Sequence, residues 1–148
     1  MLNKKTRLAA ILGAACLAVA AWAGPAAADP TGTWITQNGD AHVRVTRCGS
    51  SLCGTVVWLR EPNDPVTGKP VTDQNNADPR KRNRPLVGVQ VLVSMRPNGS
   101  GQWSGRLYDT DTGKFYSCNL LELDANTVRV EGCSLGLCGG EKMTRVSR

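Results

Sequence analysis

Histidine is all but missing from this chain of 148 residues, which has one, His42, beside one Phe, two Tyr and four Trp. A lone histidine excludes the paired-His zinc motifs and leaves little material for a Ser-His or Cys-His catalytic arrangement. No nucleophile-elbow serine, phosphate-binding loop or dinucleotide fingerprint occurs either. Helical periodicity is nearly absent after the first 28 residues, and no later apolar run is long enough to cross a bilayer as a helix. Scarce aromatics also speak against a deep aromatic pocket, so a barrel filled by its own side chains stays open as an expectation.

What is present begins with an export pattern. Lys4, Lys5 and Arg7 precede an uncharged apolar stretch over residues 8–22, which Gly24 and Pro25 end before Ala26-Ala27-Ala28. This order of basic, apolar and small residues predicts a cleavable secretory signal over 1–28, with Asp29 first in the mature chain. The apolar stretch falls short of the roughly 20 residues a spanning helix needs. Cys16 is no lipobox cysteine, because Gly13 sits where that motif places leucine. The predicted destination is the periplasm, with the extracellular space as the alternative. Removing the segment leaves 120 residues and lowers the formal charge from +6 to +3, so half of the apparent basicity belongs to targeting.

Five cysteines remain. Cys48 and Cys53, and again Cys133 and Cys138, stand in C-x4-C spacing. In an oxidising compartment this predicts two short-range disulfides, each stabilising by roughly 2 kcal/mol in the chain-entropy view. A four-Cys zinc site is the alternative, but such sites favour tighter knuckles. Cys118 is left as a buried thiol, a competitor for Cys133 or an intermolecular link.

Turn signals recur at short intervals between alternating apolar runs. Strands are predicted at 33–36, 41–47, 54–59, 86–96, 103–109, 114–123 and 127–131, with a last one near 141–147. Val43 and Val45 share a face in the second. In the fourth, Val87, Val89, Val91, Val93 and Met95 form the clearest period-two stripe in the chain. About eight sequential hairpins with one apolar face predict an all-β, up-and-down antiparallel barrel, with a two-sheet sandwich as the alternative.

The exception to this rhythm is the segment 61–85. It holds five of the eight prolines together with Asp73, Asn75, Asn76 and the basic run Arg80-Lys81-Arg82-Asn83-Arg84. Prolines restrict the unfolded chain and Asx side chains tie backbone into turns, so an ordered lid over one barrel mouth is predicted. Asp73, Asn75, Asn76, Arg80, Arg82 and Arg84 are the candidate ligand- or partner-binding residues, suited to anionic groups through charge-assisted hydrogen bonds. The competing expectation is a surface connection pinned by its own hydrogen bonds. A cation site from the Asx residues lacks ordered calcium-loop spacing. Nucleic acid is not expected as a partner, because no aromatic lies within the basic run.

Several stretches in order carry a family resemblance. They are Asp29-Pro30-Thr31-Gly32-Thr33-Trp34, Cys48-x4-Cys53-Gly54 with Val57-Trp58-Leu59, and Asp73-Gln74-Asn75-Asn76-Ala77-Asp78-Pro79. Arg82-x-Arg84-Pro85-Leu86-x-Gly88, Trp103-x-Gly105-x-Leu107-Tyr108-Asp109 and Gly113-Lys114-x-Tyr116 continue the series. The chain thereby resembles the exported bacterial proteins of the domain of unknown function 2147 family. The resemblance implies a small lipocalin-like barrel in the bacterial envelope and implies no activity. Family members often end in Trp-Thr-Arg where this chain has Met143-Thr144-Arg145. Lipocalin-like barrels also carry a Gly-x-Trp under an arginine from near the chain end, which makes Trp34 and Arg145 the implied closure residues.

The leading functional expectation is a periplasmic, non-enzymatic β-barrel that binds a small apolar ligand or an envelope component. Alternatives are an interaction module whose basic lid docks an anionic lipid or protein partner, and a thiol-redox or hydrolytic enzyme centred on Cys118 or His42. Asp109 and Asp111 are read as turn caps rather than paired catalytic acids. No catalytic residue, cofactor or metal is assigned.

Overall fold

The computed structural model describes residues 29–148, and the predicted signal segment at 1–28 lies outside the described residues. Eight strands follow one another: β1 Gly32–Ile35, β2 Ala41–Cys48, β3 Ser51–Leu59, β4 Gln90–Pro97, β5 Trp103–Asp109, β6 Lys114–Asp124, β7 Thr127–Ser134 and β8 Leu137–Ser147. Each pairs antiparallel with the next, and β8 returns to β1 through Trp34 opposite Arg145 and Ile35 opposite Thr144. The ladder therefore closes into a barrel rather than splitting into a sandwich. Closure leaves no free sheet edge. Among the described residues no helix is long and apolar enough to cross a membrane.

The period-two patterns orient most strands as anticipated, with Val43 and Val45 buried on β2 and Val128 and Val130 on β7. The fourth strand departs from its stripe. It begins at Gln90, Val87 is 43% exposed, and the buried residues are Val89, Leu92 and Met95. Ser94 takes a left-handed φ of 53°, and the β4–β5 register shifts between Val93 and Arg96. A bulge of this kind inserts one residue and changes which side chains face inward. Leu92 gains its room from Gly54 opposite, where a Cβ would stand 2.9 Å from the leucine side chain.

The two ends of the barrel differ. At one end lie the turns after β2, β4 and β6, with both chain termini of the barrel. There Trp34, Leu52, Met95, Trp103, Leu120 and Val128 fill the interior, all 0–5% exposed. Each such side chain contributes about 1.5–3 kcal/mol by leaving water. The other end carries the turns after β1, β5 and β7 and the long β3–β4 connection. One disulfide staples each end: Cys48–Cys53 joins β2 to β3 at the filled end, and Cys133–Cys138 joins β7 to β8 at the other.

Candidate functional site

The floor of the site is built by Trp34 and Arg145. The indole of Trp34 is wholly buried and donates its N–H to the Pro30 carbonyl at 2.9 Å. The Arg145 guanidinium lies 4.0 Å from the ring centroid and donates to the carbonyls of Thr31 at 2.8 Å and Ala125 at 2.6 Å. One arginine thus ties the entering chain and the β6–β7 turn to the indole. The stack adds about 0.5–2 kcal/mol.

Above this floor the interior is hollow. A cavity of about 420 Å³ is bounded by Val43 and Val56 on β2 and β3, Val91 and Leu107 on β4 and β5, and Val130 and Met143 on β7 and β8. Its volume lies in the lower part of the range typical of small-molecule pockets. Four carboxylates also line it, Asp40, Asp109, Asp111 and Glu141, and no Lys, Arg or His does. Asp109 caps its turn by accepting from the Asp111 N–H and the Thr112 hydroxyl, both at 2.9 Å. That is the turn role anticipated for it. Asp40 pairs with Arg60 at 3.2 Å, across the rim between the β1–β2 turn and the end of β3. Partial burial pushes the Glu141 carboxyl above the usual glutamate range. Met143 is 3% exposed and forms part of the cavity wall.

The long connection forms one side of a second, outer pocket of about 620 Å³ that shares Asp40, Leu59, Leu86, Thr110 and Asp111 with the inner one. The segment is held by a polar clasp against the outer face of β5. Asp73, 0% exposed, accepts from the Tyr108 hydroxyl at 2.7 Å, from Asn76 at 2.7 Å and from Arg84 at 2.8 and 2.9 Å. Burial by itself raises the pKa of Asp73, but the hydrogen bonds from Tyr108, Asn76 and Arg84, with the arginine charge, outweigh it and hold it below the usual carboxylate value. Burial and then Asp73 raise the Tyr108 phenol in turn. Asn75 donates to the Thr110 carbonyl at 3.1 Å, and Arg82 to the Asn76 carbonyl at 2.8 Å. Gly113, at φ 69°, lets this contact form, since a Cβ there would lie 1.8 Å from the Asn75 carbonyl oxygen.

Of the residues singled out in this segment, only Asn75 lines a cavity. Asp73, Asn76, Arg82 and Arg84 belong to the clasp, and Arg80 pairs with Asp78 at 3.0 Å with its side chain 90% exposed. Pro79–Lys81 makes a single 3-10 turn that Asp78 caps. The basic run therefore turns partly onto its own loop and lines neither described cavity. Cys118 is a free, buried thiol facing the core, and burial, with the Glu131 charge second, pushes it up to about 12. His42 stacks on Trp58 at 4.4 Å between ring centroids. Among the described residues no group of three or more His, Cys, Asp or Glu side chains is placed to hold a metal.

Of the mouth acids, Asp109 and Asp111 stand out in the sequence as turn residues, whereas the inward position of Glu141 does not. A signal did exist, because Glu141, Met143 and Arg145 alternate along one face of the last strand.

Three comparisons with known proteins bear on this arrangement. The family model described as "Uncharacterized protein conserved in bacteria (DUF2147)" matches residues 32–145. The chain is also similar to a solved structure described as "Protein HP1028 from the human pathogen Helicobacter pylori belongs to the lipocalin family". The two share 20% identity with a TM-score of 0.65, over 80% of this chain and 84% of that one, a likeness that bears on the fold. No curated protein matches the chain.

Proposed function

The chain belongs to the DUF2147 family of bacterial proteins, and from that premise we propose that it is an exported, non-enzymatic barrel binding a small, partly apolar ligand. The observation that carries this reading is the hollow half of the interior, about 420 Å³ walled mainly by aliphatic side chains. The lipocalin-like fold agrees with a ligand inside the barrel. Two disulfides fit an oxidising compartment, with the periplasm as the proposed location.

The chemistry of the candidate nucleophiles speaks against an enzyme. A thiol pushed up to about 12 holds almost no thiolate near neutrality, and Cys118 is only 2% exposed. Docking of an anionic lipid or protein through the basic run has fewer free cations than its sequence suggests, since Arg82 and Arg84 bond within the loop. Arg80 is paired with Asp78, which leaves Lys81 as the member of that run to serve it.

The test fills the cavity from its wall. Met143→Trp adds volume to the wall, at a stability cost of about 1–3 kcal/mol for overpacking. The neutral fluorophore N-phenyl-1-naphthylamine is expected to bind the wild-type protein and to lose at least tenfold in affinity with M143W. Equal binding by both proteins would place the probe outside the barrel and overturn the proposal.

A further inference from the structure

We infer that the cavity selects an amphiphilic cation, an apolar body of small-molecule size carrying a protonated amine that meets Glu141. This rests on the ligand-binding reading above and names the chemistry of its ligand.

The direction of Glu141 follows from the ladder. It pairs with Val130, and Met143 pairs with Val128. Residues opposite one another on paired strands share a face, and both valines are core residues, 6% and 0% exposed. The neighbouring Gly140 faces the other way, where a Cβ would stand 3.0 Å from the Glu131 side chain and 3.2 Å from that of Arg129. Glu141 therefore enters the hollow half beside Val130 and Met143, both of which line it.

Its carboxylate has no hydrogen bond or ion pair among the described residues. Arg145 lies four residues on along the same face, a rise of roughly 13 Å. Its guanidinium is engaged by Trp34 and by the carbonyls of Thr31 and Ala125. The other acids of the lining do not help, since Asp40 holds Arg60, Asp109 caps its turn and Asp111 adds a charge of the same sign. Glu141 itself is exposed at the mouth, so water solvates its carboxylate until a ligand enters beside the aliphatic wall. The lining contains four carboxylates and no Lys, Arg or His, so a ligand ammonium is the charged group that the mouth favours. The aliphatic side chains then take the apolar body. An anionic amphiphile meets repulsion at the same place, and a neutral one gains no ion pair there. Bulk charge does not produce this preference, because residues 29–148 carry 15 Lys and Arg against 12 Asp and Glu.

Calorimetric titration of the purified protein at pH 7 with decylamine, decanol and decanoate, each below its micelle concentration, tests the inference. Decylamine is expected to bind at least tenfold more tightly than decanol, with decanoate the weakest. Glu141→Gln is expected to bring decylamine within threefold of decanol while decanol itself binds as before. Equal binding of the three probes, or decylamine binding unaltered by E141Q, overturns the amine preference and leaves ligand binding standing. Failure of all three to bind removes the ligand-binding reading and this inference together. The comparison of probes on the wild-type protein stands on its own should the variant prove unstable.

Discussion

The two ends of this barrel are made by the same hydrogen-bonded ladder and come out opposite in kind. At the filled end two indoles, Trp34 and Trp103, meet Leu52, Met95 and Leu120 and leave almost no exposed surface. At the open end the inward positions hold smaller side chains, including Ala41, Val43, Val56 and Val130, and a cavity remains. Alternation decides only which side chains point inward. Their summed volume decides whether an eight-stranded barrel is packed or hollow. The difference also divides labour between packing that holds the fold and a mouth free to carry charge.

If that division is right, the largest effect belongs to the floor. Trp34→Ala leaves a cavity and removes the surface on which Arg145 stacks, so a loss of about 3–5 kcal/mol is expected in urea unfolding. That is a large share of the stability of a small domain. A change below about 1 kcal/mol would mean the floor is not what holds the barrel.

A smaller effect is expected at the clasp. Asp73→Asn keeps the shape but removes the charge from Arg84, at a cost of about 1–3 kcal/mol. Trypsin should then cut faster within Pro79–Lys81, while burial of Trp34, read by its fluorescence, stays as in the wild type. Coincident loss of loop and floor would show that the two ends are not separable.

The smallest and most gradual effect is acid release of the same clasp. The folded pKa of Asp73 lies below its unfolded value of about 3.9. Its contribution is therefore fully present above that value and is lost as pH falls through the lower, folded one. Amide exchange in residues 72–85 should quicken below about pH 4, ahead of exchange in β6 and β7. Exchange that rises together in loop and strands would contradict a local clasp.

How much of this could be read in the residues depends on the range of each interaction. Strand order, the hairpin succession and the C-x4-C bridges come from patterns that span fewer than a dozen residues. All of them recur in the structure, with ends shifted by a few positions. The fourth strand misled because Val87 and Val93 look as apolar as Val89, and nothing local to the strand announces the bulge at Ser94. The contacts of the basic run were hidden for a different reason. Arg84 is turned by Asp73, which is in turn held by Tyr108, a contact spanning 35 residues of chain.

The sequence by itself determined the all-β alternation, the number of strands and the C-x4-C spacing that both disulfides use, because each follows from local periodicity or short spacing. Only the tertiary structure decided that the interior is half filled, that Cys118 is buried and that Glu141 faces the cavity without a partner. Those outcomes depend on volumes and charges brought together from all eight strands, and no single stretch of chain carries that sum.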